Sequence, residues 1–301
     1  MTSNERAWLS LEGLSVGDTF GERYFGPSPD ALRRIAERQL SPPPWPYTDD
    51  TEMALSIVEV LRECGEVDQD LLAERFASRM TLGRGYGQGT YAILCGVKEG
   101  RDWRALTQAG FRGMGSFGNG AAMRVAPLGA YFADAKADVV QEQARLSAEI
   151  THAHPEGIAG AIAVAMATVF AWRRREQSGP LGTSWIREIR DAVPPGYTRD
   201  AIDEALGVDP TATVVEAAKV LGNGSGVTAP DTVPLCLWVA ARKSEDFAEA
   251  LWETVSALGD RDTTCAIVGG ILAAKTGVEG IPGPWLEARE RLPLPNPRTQ
   301  G

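Results

Sequence analysis

The chain has 301 residues, 44% of them hydrophobic, with 30 Lys and Arg against 40 Asp and Glu, a net charge of −10 and a pI near 4.9. That length can bury a substantial core, as one large domain or two small ones. The acidic balance argues against non-specific nucleic-acid binding, which needs a basic face.

The opening residues Met1-Thr2-Ser3-Asn4-Glu5-Arg6 hold no apolar core of a signal peptide, and the apolar runs fall short of a membrane span. A cytoplasmic protein with no membrane partner is expected. Cys64, Cys95, Cys236 and Cys265 lack C-x-x-C spacing and read as reduced core residues.

In chain order, the first element is the apolar stretch 13–21, punctuated by Gly13, Gly17 and Gly21. Glycines there let another backbone approach closely, as in a tight helix–helix contact. A 3.6-residue period predicts helices over 30–39, 50–64, 68–80, 88–97 and 103–109. Between the first two, prolines hold 42–46 extended. A helix starts within 121–128, and others follow over 137–150, 157–171, 184–192, 198–206, 213–221, 232–241 and 244–258. The uncharged run 265–274 is a helix buried nearly all round. No convincing period-two strand or fixed-period repeat interrupts this pattern. The polar stretch 173–180 is a short surface connection, and 292–301, with three prolines, is a loose tail. The prediction is one compact all-α, multi-helix domain over 1–301, acting as a monomer.

Two acidic stretches stand out. Tyr47-Thr48-Asp49-Asp50-Thr51-Glu52-Met53 opens a helix; alone, it is an ordinary N-cap with acids in the first turn. Asp260-Arg261-Asp262-Thr263-Thr264 opens the uncharged helix in the same way. Carboxylates driven together near a core need a cation or must give up ionisation. Asp49, Asp50, Asp260 and Asp262 with the hydroxyls of Thr48 and Thr263 form an all-oxygen set that suits Mg²⁺, Mn²⁺ or Ca²⁺, not zinc. Four carboxylates exceed what one Mg²⁺ normally uses, which points to a paired-metal site.

Three further segments are candidates. Arg84-Gly85-Tyr86-Gly87-Gln88-Gly89 lacks the Lys-Ser or Lys-Thr of a P-loop and reads as a cap and loop or a ligand contact. Gly113-Met114-Gly115-Ser116-Phe117-Gly118-Asn119-Gly120 contains G-x-G-x-x-G without a preceding strand or βαβ unit, so a dinucleotide fold is not indicated. It is either a tight loop or an anion site, its glycines exposing amides and Ser116 and Asn119 adding donors. His152 and His154 cannot build a zinc site alone; polar helix-end roles are the ordinary reading.

Thr48-Asp49-Asp50-Thr51 and Gly259-Asp260-Arg261-Asp262-Thr263 resemble the two signature motifs of the ADP-ribosylglycohydrolases. Matching blocks run from Gly17 to Pro282, including Gly17-Asp18…Gly21, Arg84-Gly85-Tyr86-Gly87 and Gly118 to Pro127. The resemblance implies hydrolysis of an N- or O-glycosidic bond of ADP-ribose, with two Mg²⁺ or Mn²⁺ ions held by Thr48, Asp49, Asp50, Asp260, Asp262 and Thr263. It implies that Asp50 or Asp262 assists as acid or base. It also places Gly85, Tyr86, Gly115, Ser116, Phe117, Gly118, Asn119, Gly120 and His152 around ADP-ribose, with the glycine loop at the diphosphate. Arg261 stands where the family often has Thr, and could pair with the carboxylates or face a phosphate. Serine-directed members carry a Glu four residues after the second Gly of the first block. Phe25 stands there in this chain, and Glu22 lies three residues too early. An arginine-linked substrate is therefore expected, on a protein or a small molecule. Alternatives are serine-linked or small-molecule conjugates, another metal hydrolase, or a non-catalytic ADP-ribose-binding or structural relative.

Overall fold

The computed structural model describes residues 1–25 and 29–299. Helices follow one another as α1 (Ser3–Glu22), α2 (Pro29–Ala36), α3 (Asp49–Cys64), α4 (Gln69–Arg79), α5 (Gln88–Lys98), α6 (Trp103–Gly113), α7 (Gly120–Met123) and α8 (Ala126–Tyr131). The series continues with α9 (Ala137–Glu149), α10 (Pro155–Arg173), α11 (Gly182–Ala192), α12 (Tyr197–Ala205), α13 (Val214–Leu221), α14 (Ala229–Lys243), α15 (Phe247–Ser256), α16 (Arg261–Thr276) and α17 (Gly283–Ala288). Among the described residues the only β-type pairings are two isolated bridges, Trp45 with Arg289 and Gly118 with Thr228. The all-α expectation holds.

The pair α1 and α16 forms the centre. A Cβ on Gly13 would stand 2.3 Å from the Gly269 carbonyl oxygen, one on Gly17 2.0 Å from that of Cys265, and one on Gly21 2.1 Å from that of Arg261. Three glycines at four-residue spacing clear one face of α1, so the two backbones touch along an antiparallel contact. α16 is buried from Thr263 to Lys275, as its uncharged sequence predicts. The antiparallel register brings the C-terminal turns of α1, carrying Asp18 and Glu22, beside the N-terminus of α16.

The start of α3 is delivered to the same place. The Trp45 N–H donates to the Ala288 carbonyl at 2.7 Å, and the Glu290 N–H to the Trp45 carbonyl at 2.9 Å. Phe20 stacks on Trp285 at 4.7 Å, with Trp45 and Trp252 edge-on to it. Arg84 donates to both carboxylate oxygens of Glu290 at 2.7 and 2.8 Å and to the Tyr47 carbonyl at 2.6 Å. These contacts fix the chain immediately before Thr48.

The structure differs from expectation in several places. α10 has the length and composition to cross a bilayer, contrary to the reading of the apolar runs, but 83% of its apolar window is buried inside the protein. The start within 121–128 resolves into α7 and α8, with Pro127 in the first turn of α8. α6 runs past the expected end at 109, bending where Phe111 and Arg112 take φ of 53° and 60°. The tail expected to be loose is held over 292–299: Leu292 is buried, Arg62 donates to the Pro295 carbonyl at 2.8 Å, and Arg298 pairs with Glu12. Residues 300–301 lie outside the described residues.

Candidate active site

The two acidic stretches meet in one cavity of about 470 Å³, lined among others by Asp49, Asp50, Asp260, Asp262 and Thr263. Asp50 is fully buried in the first turn of α3. Its Oδ2 accepts from the Thr48 hydroxyl at 2.9 Å, and its Oδ1 is buried with no hydrogen-bond partner. The same Thr48 hydroxyl lies 2.8 Å from Asp18 Oδ1. One hydroxyl hydrogen cannot serve two carboxylates, so one acid must hold a proton or a cation must intervene.

Asp18, from α1, has no role that its sequence context signals. It accepts from the Thr48 N–H at 3.0 Å, from the Thr51 N–H at 3.2 Å and from the Thr51 hydroxyl, besides the Thr48 hydroxyl. Four donors would ordinarily hold a carboxyl low, yet burial wins and raises it to about 6. Asp49 is pushed up to about 8, first by burial and then by the charge of Asp18. Asp50 and Asp262 are raised well above the usual range, by burial and then by Asp262 for the former and Asp260 for the latter. Without a cation Asp49 keeps its proton at neutral pH.

A hard divalent ion fits that situation. The donors are all oxygen, one buried carboxylate oxygen is orphaned, and mutual repulsion among the acids is unrelieved. Among the described residues, however, no three Asp, Glu, His or Cys side chains are already grouped to hold an ion. Two of the expected ligands have other contacts in this structure: the Thr48 hydroxyl is engaged by Asp18 and Asp50, and the Thr263 hydroxyl, at the cavity wall, lies 4.0 Å from Met123 Sδ. Among the described residues Arg261 forms no ion pair with the carboxylates. It donates to the Tyr24 carbonyl at 2.6 Å and lies over the Phe25 ring.

The glycine loop forms another wall. Ser116, Phe117, Gly118, Asn119, Gly120 and His152 all line the cavity, as does Gly85. The expected donors are partly committed: Asn119 Nδ2 donates to Asp260 Oδ2 at 2.7 Å, and the Ser116 hydroxyl accepts from the Gly118 N–H at 3.2 Å. Gly118 and Gly120 make room for an imidazole, since a Cβ on either would come within 3.2 Å of His152 Nε2. Burial, then the charge of Arg124, pushes His152 down to about 3, so it is neutral.

Two expected contacts lie elsewhere. Tyr86 does not line this cavity; its hydroxyl donates to Glu52 at 2.8 Å and its ring borders a neighbouring cleft. Gly115 opens onto a third cleft beside Met114, with φ of 75°. Conversely, Thr90, Phe111, Val227 and Thr228 line the cavity unforeseen. Phe111 is half exposed and sits on a left-handed backbone against Gly89, a position no periodicity signals.

Comparison with known proteins is consistent with this geometry. A family model described as ADP-ribosylglycohydrolase matches residues 1–299. The ADP-ribosylhydrolase ARH3 of Homo sapiens is 29% identical, over 93% of this chain and 88% of that protein. The Bos taurus ARH3 is 33% identical over 93% and 87%. The ADP-ribosyl-dinitrogen reductase glycohydrolase of Rhodospirillum rubrum is 26% identical over 94% and 90%. A solved structure titled ADP-ribosylglycohydrolase-related protein complex superposes with a TM-score of 0.66 at 26% identity, covering 96% of this chain and 93% of that one.

Proposed function

Because the chain belongs to the ADP-ribosylglycohydrolase family, we propose that it hydrolyses the glycosidic bond joining ADP-ribose to an acceptor, an arginine side chain in the first instance. The observation that carries this reading is the orphaned Asp50 Oδ1, buried among Asp18, Asp49, Asp260 and Asp262 in a cavity whose other wall is a glycine loop and a neutral imidazole.

Asp49, Asp50, Asp260 and Asp262, with Thr48 and Thr263, would hold two divalent ions, Mg²⁺ or Mn²⁺. When bound, these supply Lewis-acid polarisation of the ribose hydroxyls and of water. The remaining roles belong to the chain itself. The loop Ser116–Gly120 and His152 would receive the diphosphate, and the rings of Phe111 and Phe117 offer apolar faces to the base. Cleavage breaks the bond from the anomeric carbon to the acceptor; water gives its hydroxyl to that carbon and its proton to the leaving atom. Asp50 or Asp262 would relay that proton.

Arginine is favoured because Phe25 stands where serine-directed relatives carry Glu. A second reading, serine-linked ADP-ribose, has one observation behind it. Glu22 is half-buried, and burial and the negative charge of Asp260 raise its carboxyl above its ordinary range, so it lies in the field of the acid cluster. The test offers arginine- and serine-ADP-ribosylated peptides to one preparation, with Mg²⁺ and after EDTA. Release of ADP-ribose from arginine supports the first reading. Release from serine alone transfers it to the second, and release from neither defeats the hydrolase assignment.

A further inference from the structure

Arg124 is fully buried and, among the described residues, forms no ion pair with a carboxylate. Its Nη2 donates to the Ser147 carbonyl at 3.0 Å and to the Thr151 hydroxyl at 2.9 Å, its Nη1 lies 3.4 Å from Met53 Sδ, and its guanidinium stacks over Phe76. Burial pushes it down to about 9, which still leaves it charged at neutral pH. A charge buried without an ion pair is costly, and the negative charge of Asp49 offsets that cost only in part. Its contact with Thr151 leads directly to the cavity, because the Thr151 hydroxyl is 2.7 Å from His152 Nδ1.

The proton inventory of this chain of contacts has a single solution. Arg124 can only donate, so the Thr151 oxygen accepts from it. The hydroxyl owns one hydrogen, and Nδ1 is the acceptor that contact supplies. If Nδ1 carried the proton instead, the Thr151 oxygen would accept from both neighbours and its hydrogen would have no acceptor among the hydrogen bonds of the described residues. We infer that Arg124 and Thr151 are positioning residues that lock His152 in the tautomer with its proton on Nε2, so that the wall of the cavity presents a neutral N–H donor to an oxygen of the bound ligand. Nε2 lies beside Gly118 and Gly120, and among the described residues no hydrogen bond occupies it.

The device explains several features together. An imidazole free to ionise would change the ligand's affinity across physiological pH; this one stays neutral because burial and the Arg124 charge oppose protonation. An imidazole free to tautomerise would for part of the time offer Nε2 as an acceptor, repelling an anionic oxygen. Glycine at 118 and 120 leaves room for the ring, since a Cβ would stand 3.2 Å from Nε2 at 118 and 3.0 Å from it at 120. The ligand oxygen is identified as part of ADP-ribose only by the proposed function; the lock itself is independent of it.

With two histidines in the chain, imidazole nitrogen NMR reads the tautomer directly. His154 is the N-cap of α10, accepting from the Glu156 N–H at 3.1 Å, so His154→Asn keeps a capping side chain and leaves one imidazole to observe. In that full-length protein, ¹⁵N-labelled at His152, we expect a protonated Nε2 and an unprotonated Nδ1, unchanged on both sides of the ordinary histidine pKa. Thr151→Val should release the lock, giving a mixed or inverted tautomer, and weaken ADP-ribose by about tenfold, the scale of one hydrogen bond. Thr151→Ser should restore both readouts, which a purely structural role for the methyl group would not predict. Arg124→Lys, which keeps the charge, should preserve the Nε2 proton more fully than Arg124→Met. A protonated Nδ1 in the unaltered site, ordinary titration of His152, or identical spectra for the Val and Ser variants would overturn the inference. If the ligand-free spectrum shows the lock but ADP-ribose does not bind, the lock stands and the ADP-ribose reading falls.

Discussion

Asn119 and Asp260, 141 positions apart, are joined by a hydrogen bond of 2.7 Å from the amide Nδ2 to the carboxylate Oδ2. The contact fastens the glycine loop to the acid cluster. Asn119 reaches Thr232 with the same nitrogen, at 3.1 Å, so the loop is tied to α14 as well. A side chain that the sequence offers as a ligand donor is here a brace between the two halves of the site.

Asn119→Asp should therefore be worse than Asn119→Ala. The first replaces a donor by another carboxylate facing Asp260; the second removes one charge-assisted bond worth about 1.5–3 kcal/mol. We expect the Asp variant to lose most hydrolysis and to melt lower without metal, while Ala loses roughly tenfold or more in kcat/KM. Equal effects of the two would show that Asp260 does not feel the residue at 119.

Protonation of the cluster sets a pH dependence. In the folded metal-free protein Asp49 is raised to about 8 and Asp18 to about 6, against 3.8 for an ordinary Asp. A raised acid pKa means that the native state binds more protons than the unfolded chain. That stabilisation is complete below 3.8 and disappears as the pH climbs through 6 and then 8. In EDTA the melting temperature should fall across this window. Saturating Mg²⁺ or Mn²⁺ should reverse the fall, because the ions bind only the native, ionised site. The pair Asp50→Asn with Asp262→Asn should lose the response to metal, while the fall with pH that Asp18 and Asp49 carry persists. A metal-free melting temperature that rises through the window, or no response to metal in the unaltered protein, counts against a cation site.

Gly17→Val tests the central contact. Its Cβ would stand 2.0 Å from the Cys265 carbonyl oxygen, and backbone on both sides leaves nothing to yield cheaply. We expect a loss of about 3 kcal/mol or more by chemical denaturation. Gly87→Ala is the control, since nothing lies within 4 Å of its Cβ position; it should change stability by less than about 0.5 kcal/mol. Similar midpoints for the two variants would mean that α1 and α16 are not in backbone contact.

Gly120→Ala probes the loop without touching the acids. The added methyl would lie 2.8 Å from His152 Cε1 and 3.0 Å from Nε2. Affinity for ADP-ribose measured by calorimetry should fall by about tenfold or more, the scale of one displaced donor, while the metal dependence of melting persists. Loss of metal response with unchanged ADP-ribose affinity would place the diphosphate elsewhere.

The sequence by itself determined the helical class, most helix positions and the two acidic stretches. Each of these is written locally: apolar residues recur every three to four positions, and Thr-Asp-Asp or Asp-Arg-Asp-Thr stands where a helix must begin. The loop at 116–120 was legible for the same reason, as glycines bunched before a helix. What only the tertiary structure decided is where side chains at long separation point. Asp18 became the buried acceptor of Thr48 and Thr51 because three glycines let α1 lie against α16; the glycines are legible locally, but which helix they meet is not. Arg261 turned away to the Tyr24 carbonyl, Tyr86 turned to Glu52, and Asn119 turned to Asp260. Capping and periodicity are nearest-neighbour properties of the chain, whereas the partner of a long polar side chain is chosen by whichever distant donor or acceptor the packed core leaves unsatisfied.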